Sequence, residues 1–450
     1  MGVYTKLADD VQEVDVIIAG GKSHRLLLVV RRHVAEADPK LSILLIEGGP
    51  NNYNVLNIVY PSRGWSADEL WPYLKKLKNY HGQGEKAYHG YDGPVHVSGS
   101  TFRARGSQDD FISAAAQDGK RQDTVHKYLH EKLRSGNFPN LHVLVESKVV
   151  RVLFDDDKRA VGVEYTPNPD LQPTLATPQQ PKLIVRARKQ VTLSCGACST
   201  PPVLERSGLG DPEVLKKVGV SVIVDLPGVG PAWNRDFKNA LDRPLMLMGV
   251  VSCFLGDPSS VPEAQYITIG NYTAYPYLRK HMHITGPELS DPLDFDVGFF
   301  SDAHDIDLKK QIWAYKKQRE IMRRTSMYRG ELAPGHLAFP AGFEVVCIKA
   351  DTPLSNVKDL KYSPEDDAAT GKWLRENIGT TWHSLGTAKI APRQEFGVVD
   401  ESLNVWGTKG LKIADLSIPP MNVGANTNNT AIVVGEKAAA ILIQELGLQK

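Results

Sequence analysis

Two short apolar runs, each closed by paired glycines, restrict this chain more than any other feature. Val14-Asp15-Val16-Ile17-Ile18 runs into Ala19-Gly20-Gly21, and about twenty residues later residues 41–46 (LSILLI) run into Glu47-Gly48-Gly49. Near-continuous Val, Ile and Leu without alternation marks strands buried on both faces, as in a parallel sheet covered by helices. Strand, glycine turn, helical connection, strand and terminal acid together outline a dinucleotide-binding βαβ unit. In such a unit backbone N–H groups at the helix start cradle a pyrophosphate, and the acid takes ribose hydroxyls. A plain βαβ crossover shows the same alternation, so this segment alone leaves both readings open. Lys22-Ser23-His24-Arg25 follow Gly20-Gly21, where the full fingerprint carries a further glycine for close helix–strand packing.

Composition excludes several classes. At 450 residues the chain is long enough for two or three domains, or one large composite domain, without disulfide or metal staples. Lys+Arg 53 against Asp+Glu 52 leaves a net charge of +1, which provides no field for capturing nucleic acid or an anionic membrane. No apolar run approaches the ~20 residues of a membrane helix, and residues 1–10 (MGVYTKLADD) lack the pattern of a secretory signal. Four cysteines form no disulfide framework, so a reducing, cytoplasmic setting is expected.

Further along, residues 66–77 read as a helix opened by the capping box Ser66-Ala67-Asp68-Glu69, with Leu70, Tyr73, Leu74 and Leu77 on one face. Residues 141–165 read as a β-meander (LHVLV, VVRVLF, AVGVEY), followed by an exposed loop at 170–182 and strands at 183–194 and 221–226. Residues 307–324 read as a helix with Leu308, Ile312, Tyr315 and Met322 inward and its basic residues on a solvated face. The last helix spans about 427–446.

Several constellations could carry chemistry. Cys195-Gly196-Ala197-Cys198 has thioredoxin-like spacing, but the small residues around it point to a backbone turn with the cysteines as buried fillers. His281 and His283 would share one face of a strand, yet no Cys or acid at suitable spacing completes a metal site, so no metal is expected. Ser384 beside His383 is not in a G-x-S-x-G elbow, which leaves hydrolase chemistry unsupported.

The segments DVIIAGG, LLIEGG, HGYDGPVHVS (89–98), LSCGACSTPPVLERSGLGDP, DLPGVG (225–230), ENIGTTWHSLGTAKIAPR and GLKIADLSIPPMNVGANTNNTAIVVGEKAA occur in the order of one family. The chain resembles the glucose–methanol–choline (GMC) FAD-dependent oxidoreductases, and within them the fungal alcohol oxidase branch. The resemblance implies an α/β fold. It comprises a Rossmann-like FAD/NAD(P)-binding domain of GMC type (1–60, 140–235, 375–450) and a second α+β substrate domain on an antiparallel sheet (61–139, 236–374).

The resemblance also assigns roles. His383 matches the family's catalytic histidine, and Asn426 matches the partner that orients the alcohol. Gly20 and Gly21 would lie at the pyrophosphate and Glu47 at the adenosine ribose. Val149 would meet the adenine through its backbone, and Asp415 would sit near the pyrophosphate or ribityl chain. Asn426 and Thr427 would present the head of the last helix to the flavin. Implied partners are FAD, a small primary alcohol, and oxygen or another acceptor, with a homo-oligomer left open.

Many relatives in this branch are peroxisomal, but the chain ends Leu446-Gly447-Leu448-Gln449-Lys450 rather than in a serine-lysine-leucine address, so the cytoplasm is the expectation. Relatives also carry a glycine-rich flavin loop where Pro61 here leads almost directly to Trp65, and residues 231–240 (PAWNRDFKNA) replace an expected Asp-His pair. Those departures motivate a second reading, a shortened, flavin-deficient relative that acts as a remnant or interaction partner.

Overall fold

In the computed structural model, the structure describes residues 2–4, 6–7, 11–20, 33–38, 40–47, 72, 75–76, 78–80, 91–92, 95–97, 135, 137–139, 141–171, 182–231, 245–251, 253–277, 281–339, 344–424 and 426–448. The strands are β1 (Gly2–Tyr4), β2 (Glu13–Gly20), β3 (Ile43–Ile46), β4 (Lys78–Tyr80), β5 (Val95–Val97), β6 (Leu141–Leu144), β7 (Ser147–Phe154), β8 (Ala160–Pro167), β9 (Leu183–Ser194), β10 (Leu209–Gly210), β11 (Val224–Asp225), β12 (Met246–Val251), β13 (Thr268–Thr273), β14 (Met282–Ile284), β15 (Leu293–Phe295) and β16 (Leu411–Ile413). The helices are α1 (Thr200–Arg206), α2 (Pro212–Lys217), α3 (Ile306–Arg323), α4 (Pro364–Asn377) and α5 (Asn428–Glu445). The chain divides into unit 1 (Met1–Arg235, Lys280–Asp296, Ser384–Lys450) and unit 2 (Asp236–Arg279, Val297–His383).

Unit 1 is organised by a sheet in the order β1-β6-β3-β2-β9-β8-β7, with β16 also paired to β9. The neighbours β1, β6, β3, β2 and β9 run parallel, as do β9 and β16. Val16, Ile17, Ile18, Ile43, Leu44, Leu45 and Ile46 are fully buried, as a parallel strand pair covered on both faces requires. Each such side chain contributes roughly 1.5–3 kcal/mol by leaving water, so these strands dominate the unit's stability.

The meander expected at 141–165 forms differently. Residues 141–144 join the parallel sheet beside β3, and the antiparallel meander is β7-β8-β9. An apolar LHVL segment fits either neighbour, and only the non-local partner decides between them. Likewise, the strand expected at 221–226 shrinks to the two-residue β11, paired with β10. The helix expected at 66–77, with Leu70, Tyr73, Leu74 and Leu77, lies almost wholly outside the described residues; the exceptions are 72, 75 and 76, all helical.

Within unit 2, the antiparallel pair β12–β13 packs on α3, and α3 packs on α4. Ser363 caps α4 by accepting from the Asp366 N–H at 3.2 Å, while the Asp366 carboxylate accepts from the Ser363 N–H at 2.8 Å. Gly371 faces Ile312 and Leu308 of α3, where a Cβ would lie in ordinary contact at 3.5 and 3.6 Å.

The inward face of α3 departs from expectation. Asp307, Lys310, Gln311, Ala314, Tyr315 and Arg319 are buried, whereas Leu308, Ile312 and Met322 are only half-buried. Arg319 can be fully buried because each nitrogen of its guanidinium has a partner. Nε donates to Glu331 at 3.0 Å, Nη1 to the Tyr362 hydroxyl at 3.0 Å and Nη2 to the Val345 carbonyl at 2.9 Å.

Candidate functional site

The order of the main sheet creates a switch point. From β2 the chain builds outward through β3 and β6 on one side, and β9 closes the other. In open α/β sheets ligands bind outside the carboxyl ends of the strands at such a point. Here Ala19 and Gly20 at the end of β2 sit opposite Leu193 and Ser194 at the end of β9. The Cys195 thiol approaches the Ala19 carbonyl at 3.5 Å. Gly20 is buried at this edge, and Gly21 lies outside the described residues. Glu47, buried, directly follows β3; its N–H donates to the Leu144 carbonyl at 2.9 Å and its carbonyl accepts from the Ser147 N–H at 3.2 Å. Val149 sits on β7 opposite Tyr165, with a ladder irregularity between it and Arg151 and its side chain in the core.

Asp415 draws four donors to one buried carboxylate. One oxygen accepts from the Gly196 N–H (2.9 Å) and the Thr200 hydroxyl (2.6 Å), the other from the Ser417 N–H (2.7 Å) and hydroxyl (2.5 Å). Burial pushes this carboxyl above its ordinary value, while the Ser417 and Thr200 bonds and the two amides favour the charged form. Gly196 holds φ at 88°, a left-handed geometry that glycine takes at little cost. The Ser194 hydroxyl adds a bond to the Ala414 carbonyl. Pattern reading passed over Ser194, Thr200, Thr387 and Ser417; their only signal was a concentration of small hydroxyl residues next to an acid and a glycine turn.

Beyond this cluster, α5 begins at Asn428, and its N-cap Thr427 makes no side-chain capping bond. Inside the first turn the Thr430 hydroxyl is buried without a partner among the described residues. A helix start whose N-cap side chain makes no bond, with a buried hydroxyl that lacks a partner among the described residues, suits an electronegative ligand atom. Asn426, just before it, is exposed. His383 is half-buried and ends unit 2, whereas Asn426, Thr427 and Asp415 belong to unit 1. Trp382, exposed, holds a left-handed φ of 56°, and its N–H donates to the Thr380 hydroxyl at 3.0 Å.

The other constellations resolve into structure. Cys195 is buried and its thiol is pushed far up by burial, so it fills space and resists ionisation; Cys198 is exposed rather than a buried filler. The His281 and His283 rings do share a face, stacked at 5.2 Å. Each meets its own carboxylate, His283 donating to Glu205 at 2.5 Å and His281 lying 3.3 Å from Asp294. Glu205, fully buried, also accepts from the Ile284 N–H at 2.8 Å. No group of three or more potential ligands able to hold a metal occurs among the described residues.

The paired carboxyl ends of β2 and β9, the acid after β3 and the first turn of α5 are the features that take a dinucleotide's anionic pyrophosphate in sheets of this kind. Residues 102–231 and 276–435 match the two halves of the GMC oxidoreductase family, and the chain belongs to that family. An alcohol oxidase of Pichia angusta is 30% identical over 96% of this chain and 83% of its own. One from Candida boidinii is 27% identical over 97% and 96%. The latter alignment runs over 645 residues against 450 here, so that relative carries internal segments this chain lacks. Among solved structures, an FAD-dependent oxidoreductase from Chaetomium thermophilum shares the fold with a TM-score of 0.72 at 19% identity, covering 96% of this chain and all of the other. Among the described residues no helix is long and apolar enough to cross a membrane.

Proposed function

We propose that this chain is an FAD-dependent oxidoreductase acting on CH–OH donors, oxidising a primary alcohol to its aldehyde. Bound FAD supplies the hydride acceptor, and molecular oxygen, giving hydrogen peroxide, or another acceptor reoxidises it. Gly20, Gly21 and Glu47 would hold the adenosine and pyrophosphate end, with Val149 offering backbone to the adenine. Asn426 and Thr427 would stand at the flavin end, where the positive terminus of α5 favours negative charge.

His383 takes the hydroxyl proton, so that as hydride departs the carbinol carbon the remaining oxygen becomes a carbonyl. Asn426 hydrogen-bonds the same oxygen and fixes the near-attack geometry. In this reading residues 1–60, 140–235 and 375–450 form the FAD-binding domain, residues 61–139 and 236–374 form the substrate domain, and the protein works in the cytoplasm.

The observation that carries the reading is the β2/β9 switch point with an acid closing β3. The test is the flavin absorbance spectrum of the purified protein and its FAD-to-protein ratio, followed by peroxide release with a panel of primary alcohols. Stoichiometric FAD and turnover are expected, and His383→Ala should lower kcat about 10²–10⁴-fold. Protein that neither contains nor takes up FAD, and is inert toward every alcohol, would overturn it.

A further inference from the structure

The buried carboxylate of Asp415 is used up within the protein. Its four donors come from two places distant in sequence, the turn Gly196–Thr200 that opens α1 and Ser417 on its own turn. From Ser417 the connection passes to the segment that leaves His383. The Ala388 N–H donates to the Ser417 carbonyl at 2.8 Å, flanked by Gly386 N–H to Leu416 at 3.0 Å and Ile390 N–H to Ile418 at 2.8 Å. On its other side the same segment returns to the turn, because the Thr387 hydroxyl donates to the Ala197 carbonyl at 2.6 Å. The Thr387 carbonyl accepts from the Gly230 N–H at 3.0 Å. Gly230 has φ 96°, and a Cβ there would lie 2.5 Å from the Met282 carbonyl, so this approach is closed to other residues. Residues 386–390, which start three residues after His383, are therefore bonded on two sides around one carboxylate.

We propose that Asp415 is a positioning residue for alcohol oxidation, locking the segment that follows His383 against the Gly196 turn rather than lending its carboxylate to the flavin. The proposal rests on the functional reading above, in which His383 is the base. A carboxylate suits this task better than an amide, since all four groups facing it are donors. The clamp combines four charge-assisted bonds at Asp415 with backbone bonds and the Thr387 hydroxyl bond to Ala197, so loss of one side loosens the other.

The experiment is amide hydrogen exchange on the full chain, with and without FAD, for the unmodified protein, Asp415→Asn and Ser417→Ala. In both variants exchange at Gly196, Gly386 and Ala388 should speed up by about tenfold or more. In FAD-loaded enzyme kcat should fall while the alcohol KM changes less than about twofold, and the pH midpoint of kcat/KM should move. The flavin absorbance maxima should stay in place. Unchanged exchange in both variants overturns the proposal. So does a displaced flavin spectrum with unchanged exchange, which would mean direct contact. Should Asp415→Asn fail to fold, Ser417→Ala, which removes one hydroxyl donor, carries the same measurements. Absence of FAD from the unmodified protein would remove the functional reading, whereas exchange in FAD-free protein still decides on the clamp itself.

Discussion

Two half-buried histidines, one in each unit, set the halves of this protein apart. In unit 1, burial disfavours a charged His283, but the hydrogen bond and charge of Glu205 win and raise its pKa. In unit 2, burial and the Arg319 charge act together and hold His336 down to about 4, with its Nδ1 accepting the Tyr315 hydroxyl at 3.2 Å. In one unit a buried carboxylate favours the charged form of the histidine, and in the other a buried guanidinium disfavours it. The contrast extends to the cores. Unit 1 rests on the fully buried aliphatic strands β2 and β3, whereas the small apolar cluster of Tyr315, Phe339, Val345 and Leu360 in unit 2 surrounds a guanidinium. Apolar burial tolerates changes of pH and of single partners; a buried ion does not.

The sharpest test of that difference is Arg319→Ala. Leaving the buried Glu331 carboxylate with only the Ile348 N–H at 3.1 Å and the more distant Arg323 at 3.7 Å should destabilise unit 2 by about 3 kcal/mol, seen as loss of its denaturant transition while that of unit 1 persists. The double change Arg319→Met with Glu331→Leu should recover most of that loss; failure to recover would mean that the network specifies the local fold as well as stabilising it. In unit 1, Leu44→Ala should cost about 3 kcal/mol through the cavity it leaves, with no dependence on pH.

Acid should separate the units in opposite directions. His336 binds its proton more weakly in the folded state than its reference value of 6.5, so its contribution is complete above pH 6.5 and fades as pH falls toward 4. The loss should be on the order of 3 kcal/mol, read as an earlier melting of unit 2 that His336→Gln abolishes. His283 behaves inversely. Its contribution is complete below 6.5 and fades as pH rises through its raised value, and Glu205→Gln should flatten that slope. The smallest effect expected is Ser363→Ala, about 1 kcal/mol from the α4 capping box, measured by thermal melting of unit 2.

The two halves were also unequally legible. β2 and β3 could be read directly because strands buried on both faces need apolar residues at every position, and the GMC motifs pointed to the same sheet. Helix α3 misled, since a periodicity argument assigns Leu308 and Ile312 to the interior and charges to solvent. Its buried stripe is Asp307, Lys310 and Arg319 because their partners, Tyr275, Tyr277 and Glu331, come from elsewhere in the chain. The pairing of Glu205 with His283 was hidden for the same reason, the two being 78 residues apart. At the site, Asp415 could be singled out as an acid after a strand, but its four donors could not, because a hydroxyl residue carries no periodic signature.

One consequence of the sheet order concerns synthesis. The first half of β9 is flanked by β8, but its last residues, Val191–Leu193, receive their second neighbour only from Leu411–Ile413 of β16. At a translation rate of ~5–20 residues per second, that flank of β9 stays open for on the order of ten seconds or more after it leaves the ribosome. An unpaired strand margin of this kind invites pairing with another nascent copy. The yield of correctly assembled protein in a cell should therefore depend on how quickly the C-terminal segment arrives, and on what shields Val191–Leu193 meanwhile.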